Sequence, residues 1–344
     1  ELAQDITSGR YRPAPVRRCY IPKPGTIQRR PLGIPTVRDR VVQGALRIVL
    51  EPIFERKFAA TSYGFRPGRS CKDALRRVVE LLEQGHVWVV DADIAAYFDS
   101  IDHGILMADI EEEVADGRVL SLIEAYLKAE VLEAATSWEP EKGTPQGGVI
   151  SPLLANIYLH PVDGVLQQAG YASVRYADDL VVLCRSRAEA EEALELLRAT
   201  LERRKLQLHP DKTRITNVLE DGFDFLGYHF HGKDRWPRQK SAKKLRDAIR
   251  AHTRRANGES LATIITRINP ILRGWYEYFK HSKTNTFPGV DGWVRMRLRS
   301  ILRKRAHRRG RGRGSDHQRW PNTYFTVRGL FTMTAAHGAA LQSQ

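Results

Sequence analysis

Ser173-Val174-Arg175-Tyr176-Ala177-Asp178-Asp179-Leu180-Val181-Val182-Leu183 sets two adjacent aspartates between two runs of β-forming residues. The stretch reads as an apolar hairpin with Asp178 and Asp179 at its tip. Along a strand, neighbouring side chains point to opposite faces, so two Asp in its body would not share one site. At a turn the alternation breaks, and both carboxylates can approach one cation. Such a pair repels itself unless something positive neutralises it. Two divalent metals would do so, and a two-metal clamp is the usual machinery of phosphoryl and nucleotidyl transfer. The competing reading is a plain polar turn, since Asp favours turns anyway.

A third carboxylate appears in similar company. Val87-Trp88-Val89-Val90-Asp91-Ala92-Asp93-Ile94 reads as a strand ending in alternating acids, with Asp91 and Asp93 on one face. One aspartate from its end and one from the hairpin could bridge two ions about 4 Å apart. Asp102, which precedes a helical pattern, reads as an N-cap.

The chain has 344 residues, enough for two or three subdomains. Lys and Arg exceed Asp and Glu by 15, and the isoelectric point is near 9.9. That excess points to a polyanionic partner, nucleic acid ahead of an anionic membrane surface. No apolar run approaches the roughly 18 residues of a spanning helix, and no signal peptide is visible. Three cysteines, Cys19, Cys71 and Cys184, stand at no metal-ligand spacing. They fit a reducing compartment, with neither a disulfide framework nor a zinc site. The first residue is Glu1, so a missing native N-terminal segment is expected.

Residues 1–85 are basic and punctuated by Pro and Gly, with two short strands expected around a Pro-Gly turn between Tyr20 and Ile34. Helices are expected over 37–58 and 71–82, the second capped by Ser70. Residues 86–235 mix strands and helices, and Ser186 with Glu189 forms a capping box. From 236 to 344 the pattern is helical and basic, with helices over 241–256, 260–281 and 290–308. Between Arg295 and Arg313 stand ten basic residues and no acid, a density that suits a phosphate backbone.

Taken in order, these stretches resemble a bacterial group II intron reverse transcriptase, the intron-encoded maturase type. The resemblance rests on Arg30-Pro31-Leu32-Gly33-Ile34-Pro35, Tyr63-Gly64-Phe65-Arg66-Pro67-Gly68-Arg69-Ser70 and Asp93-Ile94-Ala95-Ala96-Tyr97-Phe98-Asp99. Thr144-Pro145-Gln146-Gly147-Gly148, Tyr176-Ala177-Asp178-Asp179, His209-Pro210-Asp211-Lys212-Thr213 and Phe225-Leu226-Gly227 continue it. Arg273-Gly274-Trp275-Tyr276 and Trp320-Pro321-Asn322 carry it to the C-terminal region.

The resemblance implies an α+β right-hand polymerase. Its parts would be fingers (1–85, after an N-terminal extension absent from the chain), a palm of antiparallel sheet plus helices (86–235, with part of the fingers), and a helical thumb or maturase domain (236–344). It implies RNA-directed DNA polymerase activity on an RNA template, with a DNA or RNA primer and dNTPs. Asp93, Asp178 and Asp179 match the catalytic triad, and the Ile94 carbonyl joins them around two Mg2+ ions, for which Mn2+ could substitute. Lys23, Arg30, Ile94, Ala95, Ala96, Tyr97, Gln146 and Lys212 would bind the dNTP, with Tyr97 as the aromatic gate below the sugar. Lys212 reads equally as a partner of Asp211. Phe225, Leu226 and Gly227 would grip the primer. Arg295, Arg299, Arg303 and Arg305 would follow the nucleic-acid backbone. Ala95-Ala96 replaces the family's frequent Lys-Gly, and Tyr97 its frequent Phe.

Group II intron RNA is a further expected partner, in the bacterial cytoplasm and without membrane contact. Two other functions stay open: a splicing cofactor that does not polymerise, and a domesticated or CRISPR-associated enzyme of repair or spacer acquisition.

Overall fold

The computed structural model describes residues 1–22, 29–133, 136–308 and 314–342. In chain order the first part runs α1 (Leu2–Thr7), β1 (Val16–Pro22), β2 (Arg29–Ile34), α2 (Val37–Glu55), α3 (Cys71–Glu83), β3 (Trp88–Asp93), α4 (Tyr97–Ser100), α5 (His103–Glu111), α6 (Gly117–Leu127), β4 (Val131–Glu133), β5 (Thr136–Trp138), α7 (Ser151–Gln168), β6 (Ala172–Tyr176), β7 (Asp179–Cys184), α8 (Arg187–Arg203) and β8 (Arg214–Asn217). It continues with β9 (Phe223–Phe225), β10 (Tyr228–His231), β11 (Asp234–Pro237), α9 (Gln239–His252), α10 (Leu261–Phe279), α11 (Thr286–Arg305), α12 (Ser315–Arg319), α13 (Asn322–Thr326) and α14 (Met333–Gln342). Two compact units result, Glu1–Val218 and Leu219–Gln344.

In the first unit an antiparallel sheet of order β6-β7-β3-β8 carries the aspartates. One sheet face turns Val90, Ala92, Leu180 and Val182 into the main apolar core. Helix α7 is buried along most of its length, and α8 adds Ala190, Ala193, Leu197 and Leu201. Burying side chains of this size is the main stabilising force of such a core. A second sheet of order β2-β1-β4-β5 contains the expected strand pair, β1 and β2, running antiparallel, while the expected Pro-Gly turn lies outside the described residues. Ser70 caps α3 through a full capping box with Asp73, and Asp102 caps α5 by accepting from the Ile105 amide.

The second unit joins a three-stranded antiparallel sheet, β11-β10-β9, to a helical body with its own core. The third expected helix starts at Thr286 rather than 290, because Pro288 sits in the first turn, where no intrahelical N–H is needed. The three short helices after it escaped the periodicity reading. The positive charge is unevenly shared. Residues 219–344 hold 26 Lys and Arg against 9 Asp and Glu, an excess of 17, while residues 1–218 hold 29 against 31.

Candidate active site

Strands β3 and β7 pair antiparallel with Asp93 directly opposite Asp179. Residues so paired share a sheet face, with Cβ atoms about 5 Å apart. Asp178 lies in the two-residue turn between β6 and β7, where Ala177 adopts a φ of 59°. Positive φ at the first turn position suits the right-handed twist of the flanking strands. It is uncommon for alanine and must be held by its surroundings.

Those surroundings are built. Gly64 packs so closely on the turn that an added Cβ would stand 2.2 Å from the Ala177 nitrogen. Beneath the turn, the wholly buried Arg175 guanidinium donates to both Asp163 oxygens at 2.7 and 2.5 Å, to Asn156 Oδ1 at 3.0 Å, and to the Ala177 carbonyl at 2.9 Å. Asn156 in turn donates to the Gly64 carbonyl at 2.8 Å. The bidentate pair fixes Arg175, and Arg175 fixes the turn. None of these four residues was singled out from sequence beyond its place in a motif. A signal existed: Asn156 and Asp163 are seven apart on α7, two turns along one helix face, and Arg175 is a charge inside an otherwise apolar strand.

The Asp178 carboxyl titrates above its ordinary range, first because it is buried. Its own amide and the Arg30 and Arg175 charges oppose that rise, and the negative charge of Asp93 adds to it. Asp93, Asp178 and Arg30 are therefore within electrostatic reach of one another. Lys212 corrects one alternative, because its Nζ lies 2.7 Å from Asp93 Oδ2, so the partner is Asp93 rather than Asp211. Among the described residues, no group of three or more His, Cys, Asp and Glu side chains is gathered to hold a metal. A smaller ligand set suits Mg2+, which is held by one or two carboxylates together with substrate phosphates and waters. Asp93 and Asp178 fit that pattern.

The other expected nucleotide contacts divide. Arg30 is exposed on β2, and Lys23 lies outside the described residues. Ile94 is buried and bridges Leu208, while the Ala95 amide donates to the Gln207 carbonyl. Ala96 is exposed, with a φ of 45°. Tyr97, the expected gate, is 2% exposed, its hydroxyl donates to the Ala155 carbonyl at 2.5 Å, and the Asp178 and Arg175 charges act on it. The next ring, Phe98, remains half-buried, 5.3 Å from Tyr97.

The Gln146 carbonyl accepts from the Gly33 amide at 2.9 Å, docking its loop on β2. Gly147, with a φ of 126°, approaches the Gly33 carbonyl so closely that a Cβ would sit 2.5 Å from it. Glycine is needed there because the neighbour is backbone of the same protein. On its other side the Thr144 amide bonds the Phe98 carbonyl at 2.8 Å.

In the second unit, Leu226 and Gly227 form the β9–β10 turn, both with positive φ as a type I′ turn requires. Tyr278 donates to the Leu226 carbonyl at 2.7 Å and Ser241 to that of Gly227 at 3.0 Å. Phe225 is core, and Leu226 is half-buried at the apex. The four expected backbone arginines differ in exposure, and Arg305 alone of them is exposed. Arg299 is buried, donating to the Trp320 carbonyl at 2.9 Å and to Asn322 at 2.8 Å. Arg303 pairs with buried Asp316, and Arg305 donates to the Asn257 and Glu259 carbonyls. Arg295 is half-buried. Positions 295, 299 and 303 repeat every fourth residue, so they share one helix face, and at Arg299 and Arg303 that face meets the chain after α11. Exposed cations stand at the end of α11 and just after it, at Lys304, Arg305 and Arg308, and on and after α9, at Lys240, Lys243, Lys244, Arg246, Arg254 and Arg255.

Residues 21–230 match the family described as reverse transcriptase (RNA-dependent DNA polymerase), and residues 242–320 match the group II intron, maturase-specific domain. Protein YkfC of Escherichia coli (strain K12) is 37% identical over 266 residues, spanning 66% of this chain and 69% of YkfC. Group II intron-encoded protein LtrA of Lactococcus lactis subsp. cremoris is 46% identical over 171 residues, 49% of this chain but 28% of LtrA. The fold is similar to that of Candida albicans telomerase solved with a fragment of telomeric RNA, with a TM-score of 0.54 and 12% identity, over 94% of this chain and 65% of that one. Among the described residues, no helix is long and apolar enough to cross a membrane.

Proposed function

Because the chain belongs to the reverse transcriptase family and carries a group II intron maturase-specific domain, we propose that it extends a primer 3′-hydroxyl with deoxynucleotides on an RNA template, in the bacterial cytoplasm. The observation that carries this reading is the convergence of Asp93 and Asp178 in one electrostatic neighbourhood, with Asp179 in register beside Asp93. Asp93 and Asp178 would hold divalent cations, Mg2+ by preference and Mn2+ as a substitute, with Asp179 and the Ile94 carbonyl contributing. When bound, such ions activate the 3′-hydroxyl and neutralise the triphosphate.

The chain's own residues do the rest. Arg30, and Lys23 by family resemblance, offset charge on the triphosphate. Lys212, resting on Asp93, is poised to meet an arriving phosphate. The Gln146 loop, fixed between β2 and Phe98, shapes the nucleotide pocket. Tyr97, beside Asp178, is our candidate for the ring that excludes a ribose 2′-hydroxyl. The pinned Leu226-Gly227 turn is our candidate for the primer grip, and the cations of α9 for backbone contact.

Primer extension on an RNA template with dNTPs and Mg2+ tests the proposal. Extension by the chain, abolished in Asp178→Asn with RNA binding retained, is expected. Undiminished extension in Asp178→Asn would refute the assignment. The maturase-specific domain favours a second, compatible role in binding intron RNA. Intron splicing unchanged by added protein would remove it.

A further inference from the structure

Within the second unit, three of the chain's six tryptophans line a single hollow of about 380 Å3: Trp236 on β11, Trp275 on α10 and Trp293 on α11. Arg246, Asn285 and Thr286 complete the polar part of its wall. Cations stand around it. Arg250 and Arg297 lie 5.8 and 5.9 Å from the Trp293 ring, and Lys283 lies 5.7 Å from Trp236. Arg246 is exposed. The Trp275 indole N–H and the Thr286 hydroxyl are buried without a hydrogen-bond partner among the described residues.

We propose that this hollow receives the unstacked base of a single-stranded RNA nucleotide. Indole faces stack on any base, and proteins that hold single strands combine such platforms with positive charge along the phosphates. The volume lies within the range of small-molecule pockets and admits a nucleobase. An aromatic cage for a quaternary ammonium group has the same rings, but the flanking Arg and Lys would repel that ligand. A neutral apolar peptide would leave the cationic rim without a counterpart, whereas the unit's excess of 17 positive charges favours a polyanion. Asn285 and Thr286 offer amide and hydroxyl groups to a base edge. The proposal is independent of polymerase chemistry, since it needs neither dNTP nor metal.

Gly289 provides the test. It lines the same hollow, and a Cβ built there meets nothing within 4 Å. Gly289→Leu should therefore fill the hollow without a backbone clash, and alanine-like side chains favour a helix over glycine. The full chain is titrated with a single-stranded oligoadenylate and with a duplex RNA of equal phosphate number, reading tryptophan emission and affinity. Wild type should show saturable quenching by the single strand and much less by the duplex. Gly289→Leu should lose that quenching and about tenfold in single-strand affinity, with duplex affinity and Tm unchanged. Trp293→Phe should retain most of the affinity, and Trp293→Leu should not. These two variants decide the question if Gly289→Leu fails to fold. Unchanged single-strand binding in a folded Gly289→Leu, or equal quenching by duplex and single strand, overturns the proposal. Because no nucleotide is incorporated, its failure would leave the polymerase reading untouched.

Discussion

Asp178 is held in a place that suits a carboxylate poorly. Its pKa is raised by burial and by Asp93. A group raised in the folded state adds stability at pH below its unfolded pKa and loses it as pH rises through the folded one. At pH above the ordinary carboxylate range Asp178 therefore weakens the fold. Asp178→Asn should raise Tm at pH 7 in metal-free buffer, and the gain should vanish near pH 3; equal gains at both pH values would contradict this. Arg175 and Asp163 form a wholly buried pair. Removing either partner alone should cost about 3–5 kcal/mol, because it leaves the other charge unpaired. The double change Arg175→Met with Asp163→Leu should regain most of that stability in denaturant titrations, yet not polymerase activity, because the Ala177 carbonyl has lost its donor. Tyr97→Val should raise ribonucleotide incorporation, whereas Tyr97→Phe should chiefly reduce stability through its lost hydrogen bond to Ala155; competition assays with dNTP and rNTP separate the two.

The hairpin β6–β7, the strand β3 and the caps Ser70 and Asp102 were readable from local pattern. Alternation, β-branched runs and side-chain caps are short-range signals. What local pattern missed is set by contacts distant in sequence. The Tyr97 hydroxyl ends on the Ala155 carbonyl, 58 residues away, a partner no propensity reveals. Whether Arg299 meets phosphate or Trp320 depends on the short helices that fold back on α11. Glycine motifs hinted at close approach without naming the neighbour, which is the Asp178 turn for Gly64 and β2 for Gly147. Gly64→Ala should therefore displace the turn, reducing kcat far more than the KM for dNTP. A variant with wild-type kcat would show that the contact yields without consequence.

Charge divides the molecule more sharply than the total suggests, with a near-neutral catalytic unit and a strongly basic second unit. Nucleic-acid affinity that rests on phosphate contacts falls steeply with salt. Lys243→Ala with Lys244→Ala should reduce the slope of log affinity against log salt by about one to two, and a like pair of exposed cations in residues 1–218, such as Arg187 and Arg198, should not. Filter binding at several salt concentrations distinguishes these outcomes. The metal assignment itself is best examined by anomalous diffraction from Mn2+ in crystals of the chain with an RNA template, a primer and an incoming dNTP. A peak about 2.1 Å from carboxylate oxygens of both Asp93 and Asp178, with Lys212 moved off Asp93, is expected. Ions bound elsewhere, or none shared by Asp93 and Asp178, would contradict it.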